Sequence, residues 1–446
     1  VNVTESAYRD LPRVDEAVEA YSGALPRSLV VDTVRAVIAA GRDEIAGGKK
    51  PDVASNVALA LRALERTSGT RIVNASGVLL HTNLGRALWS DDSIEAAAVA
   101  ARGYTNLEMD IDTGVRSRRG SYVGRLVTEL TGAEDCLVVN NNASAVMLAL
   151  AATSAGAAVP VARGELIEIG GAYRLPDVME ASGARLIEVG TTNRTRVGDY
   201  ETALQVNRCG AILVVHPSNY RVEGFVTSPT IAELASLANE QGVPLIFDIG
   251  SGHLDANTPW IEGSTPEWLS AEPAARQVLE QGADLVMFSG DKLIGGPQAG
   301  IVAGKETVIN RLRSHPMSRA LRVDGVTYAA LGATLEAFST DIRTIPFWRQ
   351  ALQSEEELVT QVEELAGRVG GTIETGASTI GAGSVPGTPL SSPLLKLDGE
   401  DHLFERLLAR DQPVLTRRSD GALFIDLRTV DEADIDLVAR AIVECR

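Results

Sequence analysis

Three cysteines and five histidines in 446 residues leave little material for disulfide or metal chemistry. Cys136, Cys209 and Cys445 form no CxxC pair, and the histidines show no HxxxH spacing. That pattern argues against a disulfide framework or a zinc site and for a reduced, cytoplasmic protein. Long hydrophobic runs are lacking too. The longest, Ala145 to Val161, is broken by Thr153, Ser154, Gly156 and Pro160, and reads as a buried helix followed by a strand rather than a membrane span. No basic stretch followed by a hydrophobic core opens the chain, so no secretory leader is expected. Positive charge is scarce, with a formal net charge of −18. Non-specific nucleic-acid binding runs on neutralised phosphates and does not suit such a surface. The deficit is uneven, because residues 1–66 hold nine Lys+Arg against ten Asp+Glu, a net of −1, which leaves −17 for residues 67–446. The N-terminal part can therefore still meet a polyanion. No G-x-G-x-x-G joins a strand to a helix and no GxxxxGK[ST] occurs, which removes the usual dinucleotide and P-loop sites.

What is present falls into three parts. Residues 8–66 show helical periodicity at Leu29, Val30, Val34, Val37, Ile38 and Ile45, ended by Gly47 and Gly48, with no strand pattern. From Arg71 to about Leu321, short β-branched runs alternate with helical stretches: residues 136–140, 211–216, 244–248, 284–289 and 300–304. That alternation predicts α/β structure with a mostly parallel sheet. After a long helix-like segment at 326–339, strands at 393–397 and 423–427 predict a smaller α/β domain, with residues 381–387 as a linker. The expected boundaries are 1–66, 67–323 and 324–446.

Polar residues sit where these strands end. One runs into Asn141, Asn142, Ala143 and Ser144, a second ends in Asp248, and a third ends in Ser289, Gly290, Asp291 and Lys292. In open α/β sheets ligands gather at the carboxyl ends of strands. Lysine, carboxylate and helix start match what pyridoxal phosphate needs: an amine for its aldehyde, an acid for its ring nitrogen and backbone N–H groups for its phosphate. Lys292, Asp248 and Asn141 to Ser144 fill those roles in that order, and Ser289 adds a hydroxyl. Taken singly, Asp248 reads equally as a helix cap and the asparagines as an Asx turn; together, in one sheet, they form a site.

Longer stretches carry a resemblance. SGDKLIGGPQAG (289–300), NASGVLLHTNLGRAL (74–88), GAEDCLVVNNNASAV (132–146), ARGELIEIGGAYRLPDVM (162–179), EVGTTNRT (188–195) and the opening RDLPRVDEAV (9–18) resemble the bacterial selenocysteine synthases, the L-seryl-tRNA(Sec) selenium transferases. The resemblance implies a fold-type-I pyridoxal phosphate enzyme with Lys292 carrying the cofactor. It also implies an N-terminal domain that grips tRNA(Sec), and dimers joined into a decameric ring. The implied reaction passes from seryl-tRNA(Sec) through a dehydroalanyl stage to selenocysteinyl-tRNA(Sec), with selenophosphate as donor. The donor-binding arginines it implies are Arg86, Arg319 and Arg322. Spacing predicts Arg319 and Arg322 on one helix face. Arg118 and Arg119 are weaker candidates for donor or tRNA contact. His216 and Asn219, in HPSNY, are candidates for contact with the cofactor ring, His216 reading equally as a packed core residue; this stretch departs from a common family form in having Pro217 where threonine is usual. On the N-terminal helix Arg35, Arg42 and Lys49, spaced by seven, are expected on one face. The alternative function is a paralogous pyridoxal lyase acting by β-elimination on a small amino acid or amino sugar phosphate.

Overall fold

The computed structural model describes Tyr8 and residues 11–67, 69–170, 173–381 and 383–446. Arg9 and Asp10 of the opening motif, Gly171 and Ala172 of the 162–179 motif, and Ala382 of the expected linker lie outside the described residues.

The chain divides into two compact units, of which the first comprises residues 1–73 with 408–413. Its described part is built on helices α1 (Val14–Glu19), α2 (Arg27–Ala46) and α3 (Val53–Arg66). Val30, Val34 and Ile38 recur at helical spacing on α2 and pack with Val18, Val53, Val57 and Leu61. A side chain at Gly41 would come within 2.5 Å of Val53 Cγ2, so the glycine lets α2 and α3 approach closely. Leu29 departs from the expected apolar stripe and is 44% exposed. Helix α2 stops at Ala46, capped by Gly47, and Gly48 takes φ +81°. Lys49 therefore lies past the helix end and does not continue the face of Arg35 and Arg42, both of which are exposed.

The second unit comprises residues 74–407 with 414–446. Its elements include β1 (Asp135–Val139), α4 (Asn142–Ser154), β2 (Ala158–Ala162), β3 (Arg185–Val189), β4 (Ile212–Val215), β5 (Leu245–Gly250), β6 (Leu285–Ser289) and β7 (Gly300–Gly304). Five of these strands form the central sheet in the order β1-β7-β6-β5-β4. The pairs β4/β5 and β5/β6 are parallel, whereas β7 runs antiparallel to both β6 and β1. The sheet is thus mostly parallel in direction, as expected: four strands point one way and β7 is reversed. Strands β2 and β3 form a separate parallel pair. Both faces of the sheet are covered, because alternate residues of one strand enter opposite cores. Val286 and Phe288 of β6 join one apolar cluster, Leu285 and Met287 the other.

Beyond the sheet come α5 (Pro316–Ala320), α6 (Gly325–Glu336) and α7 (Glu355–Val369), then β8 (Thr372–Thr379), β9 (Pro389–Asp398), β10 (Arg417–Ser419), β11 (Ala422–Asp426) and α8 (Ile435–Cys445). Helix α6 packs on the helix Asp91–Arg102 and puts Leu331 and Leu335 into the cluster that covers the central sheet. The last four strands form an antiparallel sheet in the order β8-β9-β11-β10, with α7 against β9 and α8.

Candidate active site

Strands β1, β4, β5 and β6 point the same way, so their carboxyl ends meet at one edge. There Asn141, Asn142, Ala143, His216, Asp248, Ser289 and Lys292 line a single cavity of about 210 Å³. Reversed β7 begins at the same edge. Gly300 lacks the side chain that would sit 2.1 Å from the Asn141 carbonyl oxygen, which lets β7 lie close to the asparagine turn.

Each group is held from behind. Asn141 caps α4 by accepting a hydrogen bond from Ser144 N at 2.8 Å. Asn142 Nδ2 donates to Asp248 Oδ1 at 2.8 Å. A register shift between Asp248 and Gly250 interrupts the β5/β6 ladder beside the carboxylate. Gly250, at φ +65°, is a position where a methyl would sit 3.6 Å from Lys292 Nζ and 3.8 Å from Asp248 Oδ1. Lys292 follows β6 in a loop closed by Gly290 N donating to Ala299 O and Gly296 N donating to Gly290 O, both at 2.9 Å.

Burial dominates the electrostatics. Lys292 is 5% exposed, and burial pulls its ammonium below the usual lysine range, opposed chiefly by the Asp248 carboxylate. Burial likewise raises Asp248 above the usual carboxylate range, against the Asn142 hydrogen bond and the charge of Lys292. Both shifts favour neutral forms, so the amine is drawn toward its nucleophilic, proton-accepting state.

Not every expected residue reaches this cavity. Ser144 serves the Asn141 cap, and Asn219, exposed, donates to Glu168 O at 2.8 Å. Among the arginines, Arg86 lines the cavity and bonds Asp291 Oδ2 at 2.8 Å. Arg119 instead bonds Glu108 at 2.8 Å and Val323 O at 2.6 Å, and Arg118 bonds Asp135. The shared helix face expected for Arg319 and Arg322 does not form, because α5 ends at Ala320. Arg322 leaves it to bridge Val139, and its guanidinium sits 3.5 Å from Glu108. Asn140 N donates to Leu321 O at 3.1 Å, so this segment is still tied to the tip of β1.

Several wall residues carry no strand-end signal in the sequence. Ser218 lies between two named positions, Tyr173 falls inside a quoted motif, and Gln298 lies in the lysine loop itself. Gly383 belongs to the stretch read as a linker, yet a methyl there would sit 3.1 Å from Lys292 Nζ. Glu272, in no motif, is 6% exposed and places Oε2 3.4 Å from His216 Nε2.

This lining fits pyridoxal phosphate. A buried amine and a buried carboxylate stand on either side of a glycine, the first turn of a 13-residue helix forms part of the wall, and Asn142 Oδ1 is buried without a hydrogen-bond partner. Gly250 and Gly383 leave open the space that side chains would fill.

Comparison with known proteins agrees with this geometry. Residues 72–431 match the family described as L-seryl-tRNA selenium transferase. The L-seryl-tRNA(Sec) selenium transferase of Carboxydothermus hydrogenoformans is 42% identical over 98% of this chain and 97% of its own length. That of Clostridium perfringens is 38% identical over 99% of both. Among solved structures, D-glucosaminate-6-phosphate ammonia-lyase superposes with a TM-score of 0.61 at 20% identity, covering 86% of this chain and 97% of that one, a likeness of fold. The fold is that of the fold-type-I pyridoxal phosphate enzymes.

Proposed function

Because the chain belongs to the L-seryl-tRNA selenium transferase family, we propose that it converts L-seryl-tRNA(Sec) to L-selenocysteinyl-tRNA(Sec) with selenophosphate as donor and pyridoxal phosphate held at Lys292. The observation that carries this is the extent of the likeness, 42% identity across 98% of the chain, which takes in the N-terminal helices that a small-molecule lyase has no use for. When bound, pyridoxal phosphate supplies an aldehyde for amines and an electron-accepting ring.

The chain's own groups do the rest. Lys292 Nζ, buried and drawn toward neutrality, would hold the aldehyde, and the same amine is the base placed to take the proton from the seryl α-carbon. Asp248, oriented by Asn142, would hold a proton on the ring nitrogen. The backbone N–H groups of Asn142 and Ala143 would hold the phosphate at the start of α4, with Ser289 beside them. His216 forms a wall of the cavity that holds the ring.

Selenium arrives as an anion, and an acidic protein holds an anion only with local cations. Arg86 stands at the Lys292 cavity, and Arg319 and Arg322 lie on the segment bonded to the tip of β1; these three are the donor-binding set in this reading, with Arg119 beside them at Glu108. Exposed Arg35 and Arg42 on α2 support tRNA binding by the domain at 1–66, with 67–323 binding the cofactor and 324–446 completing the chain. Family membership implies oligomerisation. A decameric ring of dimers is the finer reading, supported by exposed apolar residues such as Tyr104, Ile111 and Val115. No described helix is long and apolar enough to cross a membrane, and the reaction is assigned to the cytoplasm.

The test is direct: incubate the loaded protein with seryl-tRNA(Sec) and selenophosphate and analyse the esterified amino acid. Selenocysteine is expected. Unchanged serine, together with ammonia release from small amino acids or amino sugar phosphates, would favour the lyase instead.

A further inference from the structure

A second cavity adjoins the first. It measures about 420 Å³ and shares His216 with the Lys292 cavity. One chain segment spans both, since Gly383 packs on Lys292 while Pro386 lines the second cavity. Thr192 and Asn193, from a motif the chemistry at Lys292 does not use, line it as well.

The lining is acidic, with Glu165 and Glu272 in the wall. Glu272 is 6% exposed. Its Oε2 accepts from Val385 N at 3.2 Å and lies 3.4 Å from His216 Nε2, and hydrogen bonding by His216 and Ser251 holds the carboxyl below the usual range against the effect of burial. An ionised carboxylate in a cavity wall favours a ligand that presents O–H or N–H donors.

The reaction proposed above, on which this step rests, supplies such a ligand. The seryl group is esterified to the ribose of a terminal adenosine, and only the ester carbon and oxygen separate the seryl α-carbon from that ribose, a span of about 4 Å. With the seryl amine at Lys292, the ribose must lie in space that adjoins the first cavity. The volume suits a nucleoside. Ribose hydroxyls and the adenine amino group are donors, and an acidic side chain on a ribose hydroxyl is a recurring solution in nucleotide sites. Arg221, exposed among the lining residues, is available to the phosphodiester that precedes the nucleoside. We propose that the second cavity is the subsite for the terminal nucleoside of the seryl-RNA, with Glu272 and Glu165 accepting from its ribose and base.

The probe is 3′-deoxy-3′-(L-serylamino)adenosine, which cannot transfer its seryl group by hydrolysis, titrated into the cofactor-loaded full chain while the visible absorbance of the Lys292-linked cofactor is followed. Ala271 is exposed and lines the second cavity, so Ala271→Phe fills it without disturbing the core. The half-saturating probe concentration is expected to rise at least tenfold, with cofactor stoichiometry and the starting spectrum unchanged. Half-saturation within twofold of the parent chain would overturn the proposal. Should Ala271→Phe fail to hold cofactor, Thr192→Trp fills the same cavity from another wall and must give the same rise. Parent protein assayed in parallel on seryl-tRNA(Sec) keeps the two ideas apart. Product formed equally well by parent and filled variants overturns the nucleoside subsite alone; a parent that binds the probe but makes no selenocysteine overturns the assigned reaction alone.

Discussion

Replacing Asp248 by asparagine removes one charge and almost no volume, and the Asn142 hydrogen bond keeps an acceptor. The distance to Lys292 is bounded by Gly250: a methyl there lies 3.6 Å from Nζ and 3.8 Å from Oδ1, so the two atoms are at most about 7.4 Å apart. At an effective dielectric of about 20, unit charges at that separation attract by about 2.2 kcal/mol, and by more if they are closer. Losing that attraction changes the charged-to-neutral ratio of the amine about 40-fold at fixed pH. The assay is the rate at which cofactor-free protein captures pyridoxal phosphate, followed by absorbance across pH. Its midpoint is expected to move to lower pH in Asp248→Asn, while turnover falls steeply because no carboxylate then holds the ring-nitrogen proton. Folding provides the control. Burial raises Asp248 above its ordinary range, so the native chain holds its proton more tightly than the unfolded chain, and this group's contribution to stability falls as pH rises through that window. The variant should therefore melt no lower than the parent at neutral pH. Superimposable capture profiles, or turnover within twofold, would refute the role given to Asp248.

Lys292→Ala should abolish the visible band and all turnover; borohydride reduction and peptide mapping of the parent should place the pyridoxyl group on Lys292, and a label elsewhere rejects the site. Burial raises Glu165 from 4.5 to about 8, opposed by the hydrogen bond it accepts from Val215 N at 3.0 Å. The native chain thus keeps a proton that the unfolded chain releases, and the stability contributed is present below about pH 4.5 and lost as pH rises through about 8. Glu165→Gln should flatten melting temperature over that window, and parallel curves would count against it. Removing Arg319 and Arg322 together should leave exchange of the seryl α-proton working while selenium incorporation collapses, at about 1.5–3 kcal/mol for each charge-assisted contact; product at ordinary donor concentration would exclude them from the donor site. Deleting residues 1–66 should weaken tRNA(Sec) binding in a filter assay and leave the cofactor spectrum intact, and unchanged affinity would favour the lyase.

The residues of the cavity were legible wherever local sequence places a group at a strand end. Asn141, Asp248 and Lys292 each follow an apolar run, and the parallel direction of β1, β5 and β6 brings those ends together. Strand direction itself was not legible for β7, because Gly300 to Gly304 reads the same whichever neighbour it pairs with; the short loop from β6 forces the reversal. The arginine pair was misread for a related reason. Periodicity describes one helix, and Arg322 is taken out of α5 by pairing with Val139, far away in sequence. Glu272 could not be found from sequence, since its meaning comes from His216 and Val385, brought to it only by the fold.

Reversed β7 also fixes a schedule. It is the strand that joins β1 to the rest of the central sheet, and it pairs Gly300 with both Val139 and Ser289. On a ribosome adding about 5–20 residues per second, Gly304 follows Val139 by about 8–33 s, and β1 has no ladder in this sheet until then. The asparagine turn lies against the first residue of that strand, Gly300, so in a nascent chain this wall of the cavity is complete only after β7 has cleared the exit tunnel. A stalled chain ending before residue 300 would carry Lys292 and Asp248 and still lack the strand that ties β1 to β6.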